Sequence, residues 1–241
     1  MSSEIITRRS LPHWYVPNAM HFVTFRLAGT IPQEKVRQWR SDREAKLGRE
    51  PPEGMTMGLW RETAHKQFFR EYDGYLDTHQ SVTWLSNPSV AALIRRALYF
   101  HDGAKYHRLC YCVMPNHVHV LLQSIDAEHL PRPADWMPDK KPDSQSPLSK
   151  IMHSLKSYTA NEANKLLKRG NQFWQHESYD HWVRDENELE RIVSYIDSNP
   201  VKPGLVTRSQ DWYFGSSHDR FLFDGTTVGW LSPEMRKLAL P

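Results

Sequence analysis

The stretch Tyr106 to Gln123 constrains this chain more than any other. It reads YHRLCYCVM, then Pro115-Asn116, then HVHVLLQ. Two apolar-rich segments that alternate along their length are β-strands, and a Pro-Asn pair between them supplies a preset φ and a side chain that tolerates a turn. The spacing predicts a tight antiparallel hairpin, with Tyr106 to Met114 and His117 to Gln123 both central in a sheet.

Other segments fit around that hairpin. His21 to Leu27 (HFVTFRL) sets Phe22, Thr24 and Arg26 against Val23, Phe25 and Leu27, the alternation of a further strand. Helices are expected over 33–48, over Trp60 to Tyr72, and from the Asn87-Pro88 start signal to Asp102-Gly103. Another runs from Leu148 to Gly170, and a last from Glu186 to Asn199, where Pro200 stops it. Asp180 to Arg184 reads as extended chain between these two. The order strand, helix, strand, strand, helix, strand, helix predicts an α+β, ferredoxin-like split βαβ antiparallel sheet with an added C-terminal helix. Residues 1–219 then form one domain, with 30–80 a helical insertion, 126–146 a proline-rich loop and 220–241 a tail.

Composition excludes several classes. No run approaches the roughly 18 apolar residues of a membrane span, and the first residues lack the apolar core of a secretory signal. Two cysteines, Cys110 and Cys112, cannot build a disulfide framework, so a reducing, cytoplasmic setting is expected. The net charge is only +3, but residues 140–169 hold seven basic residues against two acidic ones. Such a stretch can follow a phosphate backbone.

The chemistry concentrates in two places. In His117-Val118-His119 the two imidazoles lie at i and i+2 on a strand and point to one face, a natural pair of ligands for a divalent metal. In Tyr195-Ile196-Asp197-Ser198-Asn199-Pro200, the phenol and the carboxamide lie four apart on one helical face. An amide oxygen suits Mg²⁺ or Mn²⁺, and a phenol can serve as a covalent nucleophile. Tyr158 is a second tyrosine on a polar helix. A Cys₂His₂ zinc site from Cys110, Cys112, His117 and His119 would have narrower spacing than usual, and both cysteines read more simply as core residues. Leu121 stands where a histidine triad needs its third imidazole.

The run YCVMPNHVHVLL with NQFWQHESYDHWVRDENELERIVSYIDSNPVKPGLV resembles the REP-associated tyrosine transposases, single-tyrosine members of the HUH superfamily of single-stranded DNA nucleases. The resemblance spans roughly 14 to 215, leaving aside the insertion. It implies a transposase that cleaves and rejoins single-stranded, hairpin-containing DNA such as repetitive extragenic palindromes. Tyr195 would be the nucleophile, forming a 5′-phosphotyrosine, and His117, His119 and Asn199 would bind the metal. For DNA contacts the expected residues are Arg8, Arg9, Trp14, Arg26, Lys150, Lys156, Lys165, Lys168 and Arg169. Nucleoid association in a bacterial cell and action as a monomer or homodimer follow from the same resemblance. The contrasting reading is a hairpin-binding regulator with a vestigial site.

Overall fold

The computed structural model describes residues 5–8, 12–16, 19–125 and 146–219. The 126–145 part of the expected loop and the 220–241 tail lie outside these residues. A short ribbon opens the chain, β1 (Ile5–Arg8) paired antiparallel with β2 (Pro12–Tyr15). The main sheet contains β3 (Met20–Arg26), β4 (Tyr106–Val113), β5 (His117–Ser124) and β6 (Tyr179–Trp182). Its order is β4-β5-β3-β6, with every neighbouring pair antiparallel. This is the strand arrangement of an α+β, ferredoxin-like sheet. The histidine strand β5 is central as expected. Its hairpin partner β4 lies at the edge of the four strands, flanked by isolated bridges from Tyr106 to Asp102 and from Cys112 to Gly215.

Among the described residues there are five α-helices: α1 (Gln33–Leu47), α2 (Met57–Thr78), α3 (Pro88–Phe100), α4 (Pro147–Leu166) and α5 (Glu186–Ser198). Their starts follow local chemistry. The side chains of Thr56, Asn87, Ser146 and Asp185 each accept a hydrogen bond from a first-turn amide, satisfying donors that a helix leaves unpaired. In α3 and α4 a proline follows the cap directly, where its fixed φ costs nothing.

Strand alternation divides the interior into two cores. Val23, Phe25, Val118, Val120 and Leu122 pack with α3 and α4 on one face. Met20, Phe22, Cys110, Cys112 and Leu121 pack on the other face with Tyr72 and Leu76 of α2 and Leu189 and Ile196 of α5. A single-residue slip of β5 would exchange these sets, so the same alternation that builds the first core turns His117 and His119 toward α2 and α5.

A buried polar cluster ties α2 to α5. Glu188 accepts a hydrogen bond from the backbone of Arg184 and lies 3.1 Å from His181 Nε2, while Glu62 pairs with Arg184 and with Lys66. Burial raises the proton affinity of Glu188, but His181 and Arg184 outweigh it and hold the carboxyl down at about 2. An acid depressed in this way stabilises the fold fully above its ordinary pKa and loses that contribution as the pH falls toward 2. Glu188→Gln is therefore expected to cost about 1–3 kcal/mol at pH 7. Urea titrations between pH 5 and pH 2 should show a shallower loss of stability in the variant than in the wild type.

Candidate metal and tyrosine site

The site begins at the turn between β4 and β5. Asn116 is buried, and its Nδ2 donates to Leu76 O at 2.8 Å and His79 O at 3.2 Å, closing the C-terminal end of α2. With both amide hydrogens so directed, Oδ1 must face His117 Nδ1, 2.6 Å away, and accept its hydrogen. The neutral His117 ring consequently carries its lone pair on Nε2.

On β5 the second imidazole is oriented from β3. Thr24 Oγ1 lies 2.8 Å from His119 Nδ1, and Thr24 stands directly across the ladder from His119. The two Nε2 atoms face each other at 2.9 Å. Burial drives the basicity of both rings down, to about 3 for His117 and well below the usual imidazole range for His119, whose neighbours His117 and Lys202 add to the effect. Two uncharged imidazoles aimed at one point, with their far nitrogens engaged, match the ligand and outer-partner arrangement of metal-binding histidines.

Helix α5 brings the remaining pieces to the same face. Asn199, its C-terminal cap, is fully buried, and neither atom of its carboxamide has a hydrogen-bond partner. It lies near enough to His117 to oppose the ring's loss of basicity. Such an orphaned amide is costly in a closed interior, and an ion held with His117 and His119 would satisfy its oxygen. The expected metal-binding residues therefore converge and fit a divalent ion.

Tyr195, one turn before Asn199, packs edge-on against His119 with centroids 5.5 Å apart, and against Phe22 and Phe69. Its hydroxyl is buried without a partner, and the Lys202 ammonium stands 3.8 Å from the ring centre.

A residue absent from the sequence expectation completes the neighbourhood. Asp73 of α2 is only 3 % exposed and places Oδ1 3.4 Å from His119 Nε2. Ligand atoms of Asp73, His117 and His119 all lie within 4.8 Å of one another, the one such grouping of His, Cys, Asp and Glu among the described residues. Helix α2 was expected to end at Tyr72; it continues to Thr78, and the extension carries the site residue. The hint available in the sequence was the i, i+4, i+7 spacing of Phe69, Asp73 and Leu76, one face of a longer helix.

Other candidates lie elsewhere. Tyr158 is 55 % exposed on α4, across the sheet from the histidines. Cys112 shares the face of the histidines, but its thiol donates to Met114 Sδ at 3.6 Å, and neither cysteine belongs to the grouping of possible ligand atoms among the described residues. Arg26 was expected to contact DNA. It is instead buried, donating to Tyr72 Oη at 2.9 Å and Thr30 Oγ1 at 3.0 Å, and so fastens α2 to β3. Lys156 donates to the carbonyls of Gln175 and His176, and Arg169 stacks 3.4 Å from the Trp84 ring centre. Lys165 pairs with Glu162, whereas Lys150 and Lys168 are exposed. Arg9 and the side chains of Arg8 and Trp14 lie outside the described residues.

Asn116→Ala removes the acceptor that orients His117 and the cap on α2. The expected outcome is a roughly 10–100-fold weaker affinity for Mn²⁺, the cost typical of losing an outer hydrogen-bond partner, measured by calorimetric titration of the folded variant.

No family model matches the chain. In sequence it is similar to a Haemophilus influenzae protein provisionally named a REP-associated tyrosine transposase, with 26 % identity over 118 residues. That alignment spans 47 % of this chain and 60 % of the relative. A solved structure of a REP-associated tyrosine transposase bound to a REP hairpin aligns over 91 % of this chain and 89 % of its own, with 15 % identity and a TM-score of 0.48. The resemblance first visible in the histidine and tyrosine motifs is thus a resemblance in sequence to the REP-associated tyrosine transposases.

Proposed function

We propose that this chain is a single-stranded DNA endonuclease and strand transferase of the REP-associated tyrosine transposase kind, acting on hairpin-containing DNA. One observation carries the reading. The Tyr195 hydroxyl, buried and unpartnered, stands on a ring that touches His119, beside the orphaned carboxamide of Asn199. Structural tyrosines and asparagines in an interior satisfy their polar atoms; these two keep theirs uncommitted where His117 and His119 meet.

In this mechanism His117, His119 and Asn199 hold Mg²⁺ or Mn²⁺. When bound, the ion supplies charge neutralisation at the scissile phosphate and makes phosphorus more electrophilic. Tyr195 Oη loses its proton and attacks phosphorus in line. The bond from phosphorus to the 3′ oxygen breaks, that oxygen takes up a proton, and Tyr195 is left joined to the 5′ phosphate. A 3′-hydroxyl of a second strand can attack this ester in the reverse sense, so strands are rejoined without an external energy source. Phe22 and Phe69 hold the Tyr195 ring by edge contacts, which limits its rotation and keeps Oη near the histidines. The Lys202 ammonium over the ring adds positive charge where an anionic strand must approach.

Binding along the rest of the strand is assigned to Lys150, Lys165, Lys168 and Arg169, with Arg8, Arg9 and Trp14 from the N-terminal segment. Residues 1–219 act as one catalytic unit in this reading, as monomer or homodimer, in the cytoplasm near the nucleoid. No helix among the described residues is long and apolar enough to cross a membrane.

The test uses a hairpin-containing single strand labelled at its 3′ end, incubated with the protein and Mn²⁺ and resolved on a denaturing gel. A labelled protein adduct is expected with the wild type and none with Tyr195→Phe. His117→Ala should reduce the adduct by at least about 100-fold, as loss of several kcal/mol of charge stabilisation requires, while retaining hairpin binding. An undiminished adduct in Tyr195→Phe would refute the assignment, and selective hairpin binding without any adduct would favour a regulator.

A further inference from the structure

We propose that Asp73 is a direct protein ligand of the divalent ion, supplied by α2 to the centre formed by His117, His119 and Asn199. The proposal rests on the metal centre described above and adds an anionic donor from the segment that looks like an insertion in the sequence.

Distance is the first argument. Two donors bound to one ion at about 2.0–2.2 Å cannot stand more than roughly 4.4 Å apart. The His117–His119 Nε2 separation of 2.9 Å and the Asp73–His119 separation of 3.4 Å both satisfy this. Burial is the second. Asp73 Oδ1 has no hydrogen-bond partner although the residue is almost fully enclosed, and a buried carboxylate oxygen without a donor is costly in an interior. The charged groups that act on it are Asp77, which adds repulsion, and Lys202, which offsets part of it. A cation against Oδ1 removes the expense.

Charge balance is the third. Two imidazoles and a carboxamide are neutral, so a dication held by them alone would place two uncompensated charges in a region closed to water. One carboxylate halves that charge and lets the ion bind before any phosphate arrives. The position is also well fixed. Tyr72 is anchored by Arg26, and Leu76 O by Asn116, one residue before and three residues after Asp73. The carboxylate is therefore positioned by its helix. Imidazole and carboxylate together suit Mn²⁺ better than Mg²⁺, which favours oxygen donors and water.

The experiment compares Mn²⁺ and Mg²⁺ binding by calorimetry, without DNA, in the wild type, Asp73→Asn, Asp77→Asn and His117→Ala, with thermal melts of each in the presence and absence of Mn²⁺. The wild type should bind Mn²⁺ more tightly than Mg²⁺. Asp73→Asn should weaken Mn²⁺ binding at least roughly tenfold, since outer partners alone are worth that much. Without metal it should melt no lower than the wild type, because an unpartnered buried carboxyl has been removed. Asp77→Asn removes an equal charge one turn away and should lose much less affinity. Wild-type affinity in Asp73→Asn, or equal losses in the two aspartate variants, overturns the proposal and leaves the histidine centre standing. If the wild type and His117→Ala both fail to bind Mn²⁺, the metal centre itself falls. Asp73→Ser provides the same comparison should the asparagine variant fail to fold.

Discussion

The Asn116 carboxamide is the contact on which the rest of the site depends. Its two hydrogens satisfy carbonyls at the end of α2, and its oxygen accepts the hydrogen of His117 Nδ1. One side chain thereby joins the β4–β5 turn, the helix that covers the sheet and the tautomer of the first histidine. A turn needs only a residue that tolerates its backbone; this position also needs an amide, with donors and acceptor on opposite sides. An aspartate there would offer no donors, and a glycine would offer nothing.

Around this contact, α2 acts as the second wall of the site. Phe69 touches Tyr195, Asp73 approaches His119, and Leu76 O receives Asn116, so one helical face runs from Tyr195 to the turn. Arg26, buried under the same helix, holds Tyr72. The electrostatics of the pocket follow from enclosure. Imidazoles lose basicity, Asp73 gains proton affinity, and Asp77 is lifted to about 6 by burial against the pull of Lys202. The pocket favours neutral forms until a cation enters it.

Much of this was legible in the sequence. Period-two alternation placed the hairpin, chose the faces of β3 and β5, and gave the strand order its plausibility. The four-residue spacing of Tyr195 and Asn199 placed both on the right side of α5. What escaped has physical causes. Helix α2 runs six residues past the expected end at Tyr72; Gly74 costs it roughly 1 kcal/mol relative to Ala, and the contacts with Arg26 on β3 and with Asn116 override that local penalty. Arg26 was assigned to DNA because alternation names a face without saying whether another element covers it. Lys156 looked like a phosphate contact because charge patterns in a sequence do not reveal nearby carbonyls.

The site draws on residues 22–24, 69–76, 116–119 and 195–199, brought together by the sheet order. Nearly all of these contacts link segments far apart along the chain, so the site belongs to the slow, non-local part of folding. Domains are assembled as they are synthesised, from the N-terminal side onward. A nascent chain therefore has its paired histidines on the ribosome some eighty residues before Asn199 is added, and the candidate site is incomplete until then. The order of the elements along the chain thus leaves the joining of α5 to the histidine strand until almost all of the described chain has been made.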